Sequence, residues 1–246
     1  MDRLVYTAYS GLRGRMAAQS AIANNMANAS TPGFRADRFN FEQLALKGGG
    51  FEARALTSEQ VVDADRRAVA KISTGRDLDI AVDGNDWIAV QAADGEEAYT
   101  RRGDLTIAPS GVLQTGDGLP VIGNSGPITL PPAEKVTIGS DGTVMIVPPG
   151  GQADNPQVVD RIKLADPNGS ETVKTMDNLL RVKGGGVLPA NLDAKVQSGA
   201  LEQSNVNMTE TLVWMIENQR SYEVQAKLLS SAKDMDDGGA SLMRLP

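Results

Sequence analysis

The stretch from Asn207 to Leu229, NMTETLVWMIENQRSYEVQAKLL, decides how the chain divides. Met208, Leu212, Met215, Gln219, Tyr222, Ala226 and Leu229 step alternately by four and three, a heptad seam with one polar member. Asn207 and Glu210 stand where a helix start wants a side-chain acceptor followed three residues later by a carboxylate. The spacing predicts a long helix over about 207–236. Asp236-Asp237-Gly238-Gly239 closes the pattern, and acidic side chains there oppose the helix dipole and favour fraying.

The other end of the chain mirrors this one. Residues 3–29 contain no proline, and Val5, Tyr9, Leu12, Met16, Ile22 and Met26 recur at helical spacing, with Ala8, Ala18, Ala23 and Ala27 widening the stripe. Thr31-Pro32-Gly33 ends it, because proline cannot continue a helix and glycine permits the turn. At 1.5 Å per residue such a helix is about 38 Å long, more than a small compact domain needs.

Between the two helices the grammar changes. Leu78-Asp79-Ile80-Ala81-Val82, Trp87-Ile88-Ala89-Val90, Leu105-Thr106-Ile107 and Val136-Thr137-Ile138 are short apolar or alternating runs. Asp-Gly recurs at 83–84, 94–95, 117–118 and 141–142, and that dipeptide suits the positive φ of tight turns. The expected fold class is α+β: N- and C-terminal helices forming a coiled-coil layer, with an inserted all-β domain of short strands. The expected divisions are 1–30 for the first helix, 31–71 for an extended linker arm, 72–200 for the β-domain and 201–246 for the last helix. Within the arm, Gly48-Gly49-Gly50 reads as a flexible joint and Gln60-Val61-Val62 as a short strand.

Composition narrows the chemistry. The 246 residues include no His and no Cys, which removes imidazole bases, thiol nucleophiles, disulfides and the usual zinc ligands. A net charge of −7 argues against nucleic-acid binding. Arg3, Arg13, Arg15, Arg35 and Arg38 make the first forty residues locally basic, and read as the solvated or partner-facing side of a helix. No run approaches the roughly 20 apolar residues of a membrane span, so direct membrane insertion is not expected. The opening residues lack the apolar core of a secretory signal.

Candidate sites weigh towards structure. Each Asp-Gly turn offers one carboxylate, too few for a calcium loop. The glycines at 48–50 and 184–186 lack the Lys-Ser/Thr of a phosphate cradle. Asp77, Asp79, Glu96, Glu97 and Asp104 are the residues from which a carbohydrate-active enzyme would draw its carboxylate pair, but they read as turn flanks and outward strand positions. The expectation is no catalytic residue, no cofactor and no metal. What stands out instead is a pair of long helices whose apolar faces one partner need not cover. Asn24, Asn25, Asn28 and Gln219 lie on or beside the seams, where they can fix register or cap a helix end.

Asn24-Asn25-Met26-Ala27-Asn28-Ala29-Ser30-Thr31-Pro32-Gly33-Phe34-Arg35 resembles the N-terminal signature of the flagellar rod, hook and hook-associated family. Met26 stands where that signature more often has Ile or Leu. Gly199-Ala200-Leu201-Glu202-Gln203-Ser204-Asn205-Val206, with Gln219-Arg220-Ser221-Tyr222-Glu223, resembles the family's entry into its last helix and that helix itself. Gly75–Val82, Trp87–Val90 and Tyr99-Thr100-Arg101-Arg102-Gly103 resemble its β-domain. The opening Met-Asp-Arg-Leu-Val-Tyr-Thr-Ala and Asp86-Trp87-Ile88-Ala89-Val90 are most similar to proximal-rod members, with the distal rod as the alternative.

The resemblance implies a non-enzymatic subunit of the flagellar basal-body rod, exported by the flagellar type III apparatus without a cleaved signal and assembled in the periplasm. Its partners would be copies of itself and other rod proteins. The residues expected at the assembly interface are Leu12, Met16, Ile22, Asn24, Asn25, Met26, Asn28, Phe34, Met208, Leu212, Met215, Gln219, Tyr222 and Leu229.

Overall fold

A computed structural model of the chain describes residues 2–45, 55–67, 69–151 and 155–242. It divides into two compact units, one of residues 1–27, 37–62 and 207–246, the other of residues 28–36 and 63–206. The backbone therefore passes between the units four times.

The first unit holds both long helices, α1 (Asp2–Ala27) and α2 (Met208–Leu242). They run antiparallel: Gly11 lies against Gln225, while Asn218 Nδ2 donates to the Arg15 carbonyl at 3.0 Å and to Gln19 Oε1 at 2.8 Å. Among the described residues of α1 the buried positions are Gly14, Ala18, Ala21, Ile22 and Asn25, so small residues dominate the covered face there. On α2 they are Thr211, Asn218 and Ala232, flanked by the half-buried Met215, Ser221, Gln225 and Leu229. The covered face of α2 shares only Met215 and Leu229 with the seam expected from the sequence. Small and polar side chains let two helices approach closely and satisfy each other's hydrogen bonds, which an apolar-only count cannot register.

Helix ends follow local chemistry at the start of α2 but not at its end. Asn207 Oδ1 accepts from the amides of Thr209 and Glu210 at 3.1 and 3.3 Å, the expected N-cap. The expected stop at Asp236–Gly239 is corrected: α2 continues through it to Leu242. Each glycine there costs about 1 kcal/mol relative to alanine, but no proline stands within α2 to remove its helical hydrogen bonds.

The expected arm over 31–71 contains strands. Much of it is paired: β1 (Asp37–Ala45) and β2 (Ala55–Ala64) form a two-stranded sheet, and Gln60-Val61-Val62 lie within β2. Gly48-Gly49-Gly50 lie outside the described residues.

The second unit is built of short antiparallel strands. Its largest sheet orders Leu164–Ala165, Trp87–Gln91, Glu97–Thr100, Leu180–Val182 and Thr172–Lys174 side by side. A three-stranded sheet joins Lys135–Ile138, Thr143–Val147 and Gln157–Arg161. Ile80, Ile88, Leu105, Leu113, Val121, Val144 and Leu164 meet in its main core. Each such side chain contributes roughly 1.5–3 kcal/mol on leaving water. All four Asp-Gly glycines carry the positive φ that their turns require. Near the end of the unit, Val196–Ser198 pairs with Ile80–Val82 and, after a turn at Gly199, Ala200–Glu202 pairs with Lys71–Ser73.

Candidate assembly site

The surface that the sequence nominates lies mainly on the two helices. Met16, Met208, Leu212 and Tyr222 are exposed at 58, 43, 43 and 38%, and Gln219 is exposed as well. Leu12, Asn24, Met26, Asn28, Met215 and Leu229 are half-buried, and Ile22, Asn25 and Phe34 are buried. Five further apolar residues of α2, namely Val213, Ile216, Val224, Leu228 and Met235, are each about half exposed. They fall outside the heptad seam, so a search for one stripe passes over them. At 100° per residue Leu212 and Ile216 lie about 40° apart, as do Val224 and Leu228, and the four together spread over about 160°, so α2 is apolar well beyond a single stripe. A soluble helix with that distribution is normally enclosed. Among the described residues, α1 is the helix that lies along it.

The asparagines of the N-terminal signature have identifiable tasks inside the chain. Asn25 Oδ1 accepts from the Asp37 amide at 2.7 Å and its Nδ2 donates to the Asp37 carbonyl at 3.2 Å. Asn24 Nδ2 donates to Asp37 Oδ2 at 2.7 Å. These two side chains hold the first residue of β1 to the last turns of α1. Asn28 is the first residue past α1; its carbonyl accepts from the Thr31 amide and its Oδ1 from the Thr31 hydroxyl. Asn28 thus shapes the turn that leads into Pro32.

Beyond that turn, within the second unit, the two signature segments meet. The Gly33 amide donates to the Glu202 carbonyl at 2.8 Å, and the Asn205 amide to the Phe34 carbonyl at 3.3 Å. Asn205 Oδ1 accepts from the Ala36 amide at 2.7 Å while its Nδ2 donates to the Asp65 carbonyl at 2.8 Å. The Asp65 amide in turn donates to the Ala36 carbonyl at 2.9 Å. Gly33 has φ +67°, and a Cβ there would lie 2.2 Å from the Arg101 carbonyl oxygen, so only glycine fits. Phe34 is buried in this unit with the Lys174 ammonium 4.0 Å from its ring centre, and Lys174 also donates to the Arg35 carbonyl at 2.7 Å.

Arg35 is a correction: it is neither helical nor partner-facing but 3% exposed and ion-paired with the buried Glu202. Arg101 Nε lies 3.3 Å from the other oxygen of Glu202, and its remaining nitrogens donate to the Asp86 and Gly84 carbonyls, both at 2.6 Å. Burial lowers the pKa of both guanidinium groups, and Glu202 opposes that shift in each. Sequence reasoning missed Arg101 and Glu202 as partners. Each lies in a segment quoted above, but no local pattern joins charges so far apart.

The carboxylates considered for catalysis are engaged elsewhere. Asp79, expected to point outward, is 2% exposed and accepts from the Thr74 hydroxyl at 2.6 Å beside Arg76. Glu97 pairs with Lys163, Asp104 with Arg102 and Asp77 with Lys135. Among the described residues, no helix is long and apolar enough to cross a membrane.

Three family models match the chain. Residues 5–35 match the flagella basal body rod protein model, 81–146 the D1 domain of the flagellar hook protein FlgE/F/G model, and 197–242 the C-terminal model of the flagellar basal body rod FlgEFG proteins. The chain is 38% identical to the flagellar basal-body rod protein FlgF of Salmonella typhimurium, with 98% of each chain covered. It is 38% identical to FlgF of Escherichia coli over 95% of each, and 31% identical to the rod protein FlgG of Bacillus subtilis over 96% of this chain and 97% of that one. On these matches, which run almost end to end, the chain belongs to the flagellar basal-body rod protein family, whose members are structural and not enzymatic.

Proposed function

We propose that this chain is a subunit of the proximal rod of the bacterial flagellar basal body, transmitting torque by polymerising through α1 and α2. The observation that carries the assembly surface is the apolar character of α2 beyond the face that α1 covers: Leu212, Ile216, Val224 and Leu228 keep 43–57% of their surface exposed. Further helices from neighbouring copies, or from adjoining proximal and distal rod subunits, would remove that area from water at roughly 25 cal/mol per Å². The helices would then form a coiled-coil inner layer. Repetition of a head-to-tail contact that does not close gives a helical shaft, and many parallel contacts resist twist.

The proximal rather than distal assignment is supported by 38% identity to the two FlgF proteins named above against 31% to the FlgG protein. Passage through the flagellar type III apparatus and assembly in the periplasm complete the reading, since a rod outside the cytoplasm needs a route for its subunits. The test replaces Leu212 by Glu in cells that carry this chain as their only copy. Basal bodies should stop short of a complete rod and motility should be lost. Complete rods and normal swimming would overturn the assembly surface.

A further inference from the structure

We infer that the node of Phe34–Ala36, Asp65 and Glu202–Asn205, with Phe34, Arg35, Asp65 and Glu202 buried at its centre, is a clasp that makes α1 pair with α2 of its own chain instead of a neighbour's. The inference does not rest on the rod assignment and concerns the free subunit.

The argument is one of loop closure. Ala36 and Asn205 are 169 positions apart, yet the Asn205 side chain bridges the Ala36 amide and the Asp65 carbonyl. The backbone of Phe34 pairs with Asn205, that of Gly33 with Glu202, and the Arg35 and Glu202 side chains close the same contact from within. The first helix ends at Ala27 and the second begins at Met208, only a few residues from these ties. With Ala200–Glu202 already held on Lys71–Ser73, closing the clasp cuts the chain between the two helices from on the order of 50 residues to on the order of 10. The effective concentration of one helix at the other rises by on the order of tenfold.

That gain matters because the paired faces are not selective. Gly14, Ala18 and Ala21 on α1, against Thr211, Asn218 and Ala232 on α2, would suit the same helices of a second copy equally well. Asn205 and Glu202 are therefore positioning residues, acting on the helices through the chain they hold.

The cysteine-free sequence allows a direct test. Gly11→Cys and Gln225→Cys, at two positions that touch, are combined in the full chain and joined by a short bis-maleimide. Mixed isotope-labelled and unlabelled protein then separates links within a chain from links between chains. In the otherwise unchanged protein the links should be almost all intramolecular at micromolar concentration. Adding Asn205→Ala, and separately Glu202→Gln, should raise the interchain share severalfold, with Trp87–Gln91 still protected from amide exchange. An unchanged share with that sheet protected would overturn the clasp. Should either variant unfold the sheet, exchange in the unsubstituted chain decides. The Gly33, Ala36, Asp65 and Asn205 amides should exchange as slowly as Trp87–Gln91, and fast exchange there would overturn the inference.

Discussion

Arg35 and Glu202 are separated by 167 positions and form an ion pair whose side chains are 2% and 3% exposed. One stands just past the proline that follows the first helix, the other just before the second helix. The two sequence segments that most resemble the rod family at its opposite ends are thus parts of one buried site. A charge pair so enclosed adds little net stability in itself, because both ions are desolvated. It is costly to break, and that asymmetry turns it into a constraint.

Glu202→Gln leaves Arg35 and Arg101 buried without a carboxylate between them. Removing one partner of a buried pair typically costs 3–5 kcal/mol, so the β unit should lose about 3 kcal/mol. Urea unfolding followed by Trp87 fluorescence, with Trp214→Phe in both parent and variant, measures this, and a midpoint equal to that of the parent would show that the pair does not constrain the fold.

Gly33→Ala tests the same site through the backbone. The residue needs φ +67°, and its new Cβ would run into the Arg101 carbonyl. Adoption of a left-handed conformation costs an L-residue about 1 kcal/mol or more, and displacement of main chain adds to that. The expected loss is about 2–4 kcal/mol, whereas Gly184→Ala, at φ +85° with open space around its Cβ position, should cost only the conformational part. Equal losses at the two positions would sink the steric account.

Asn218 is 6% exposed and donates from one nitrogen to Arg15 and Gln19 across the helix pair. Asn218→Ala removes the donor that reaches the Arg15 carbonyl and Gln19 Oε1 across the pair and opens space beside them. A loss of about 1–3 kcal/mol of local stability follows, visible as faster amide exchange along both helices with the β unit unaffected. Helices that exchange at the parental rate would place their cohesion elsewhere.

How far the sequence carried depends on the range of the physics at each point. Asn207 was legible as a cap because its partners are two and three residues away. The Asp-Gly turns were legible because two residues determine their φ. The covered face of α2 was not, because apolar residues surround that helix, and its partner is recognised through Gly14, Ala18 and Ala21, which a hydrophobic count ranks low. Asp79 and Arg35 were misplaced for a related reason. A charged residue reads as exposed until its counter-charge is found, and Glu202 lies too far along the chain to be paired with Arg35 by inspection.

Leu212→Glu and Ala18→Glu separate assembly from folding. Leu212 is 43% exposed, so a charge there should move stability by no more than about 0.5 kcal/mol while blocking incorporation. Ala18 is 4% exposed on the covered face of α1, and a buried unpaired carboxylate there should loosen the helices themselves. Melting followed by far-ultraviolet circular dichroism, beside a rod-assembly assay, distinguishes the two. A Leu212→Glu chain with disrupted helices would mean that this residue serves the fold and not a neighbour.

Acid provides the last test, at Arg181. Its guanidinium pairs with Asp177 at 2.7 Å and with Asp94 at 2.6 Å. Burial pushes the Asp177 carboxyl up, but hydrogen bonds from Thr175, Arg181 and the Leu179 amide outweigh it, and the net shift is below the ordinary 3.8. The Asp94 carboxyl is lowered by the Glu96 amide first and by Arg181 next. A carboxylate whose pKa is lower folded than unfolded stabilises the fold above the unfolded value, and that stability disappears as pH falls through the folded value. Arg181→Met should therefore unfold at a lower urea concentration than the parent at pH 7. Below pH 3.8 the gap should narrow as both carboxylates take up protons, and the parent should lose more stability on acidification than the variant. A gap of the same size at pH 7 and pH 3 would mean that Arg181 stabilises this corner through its hydrocarbon stem and not through its charge.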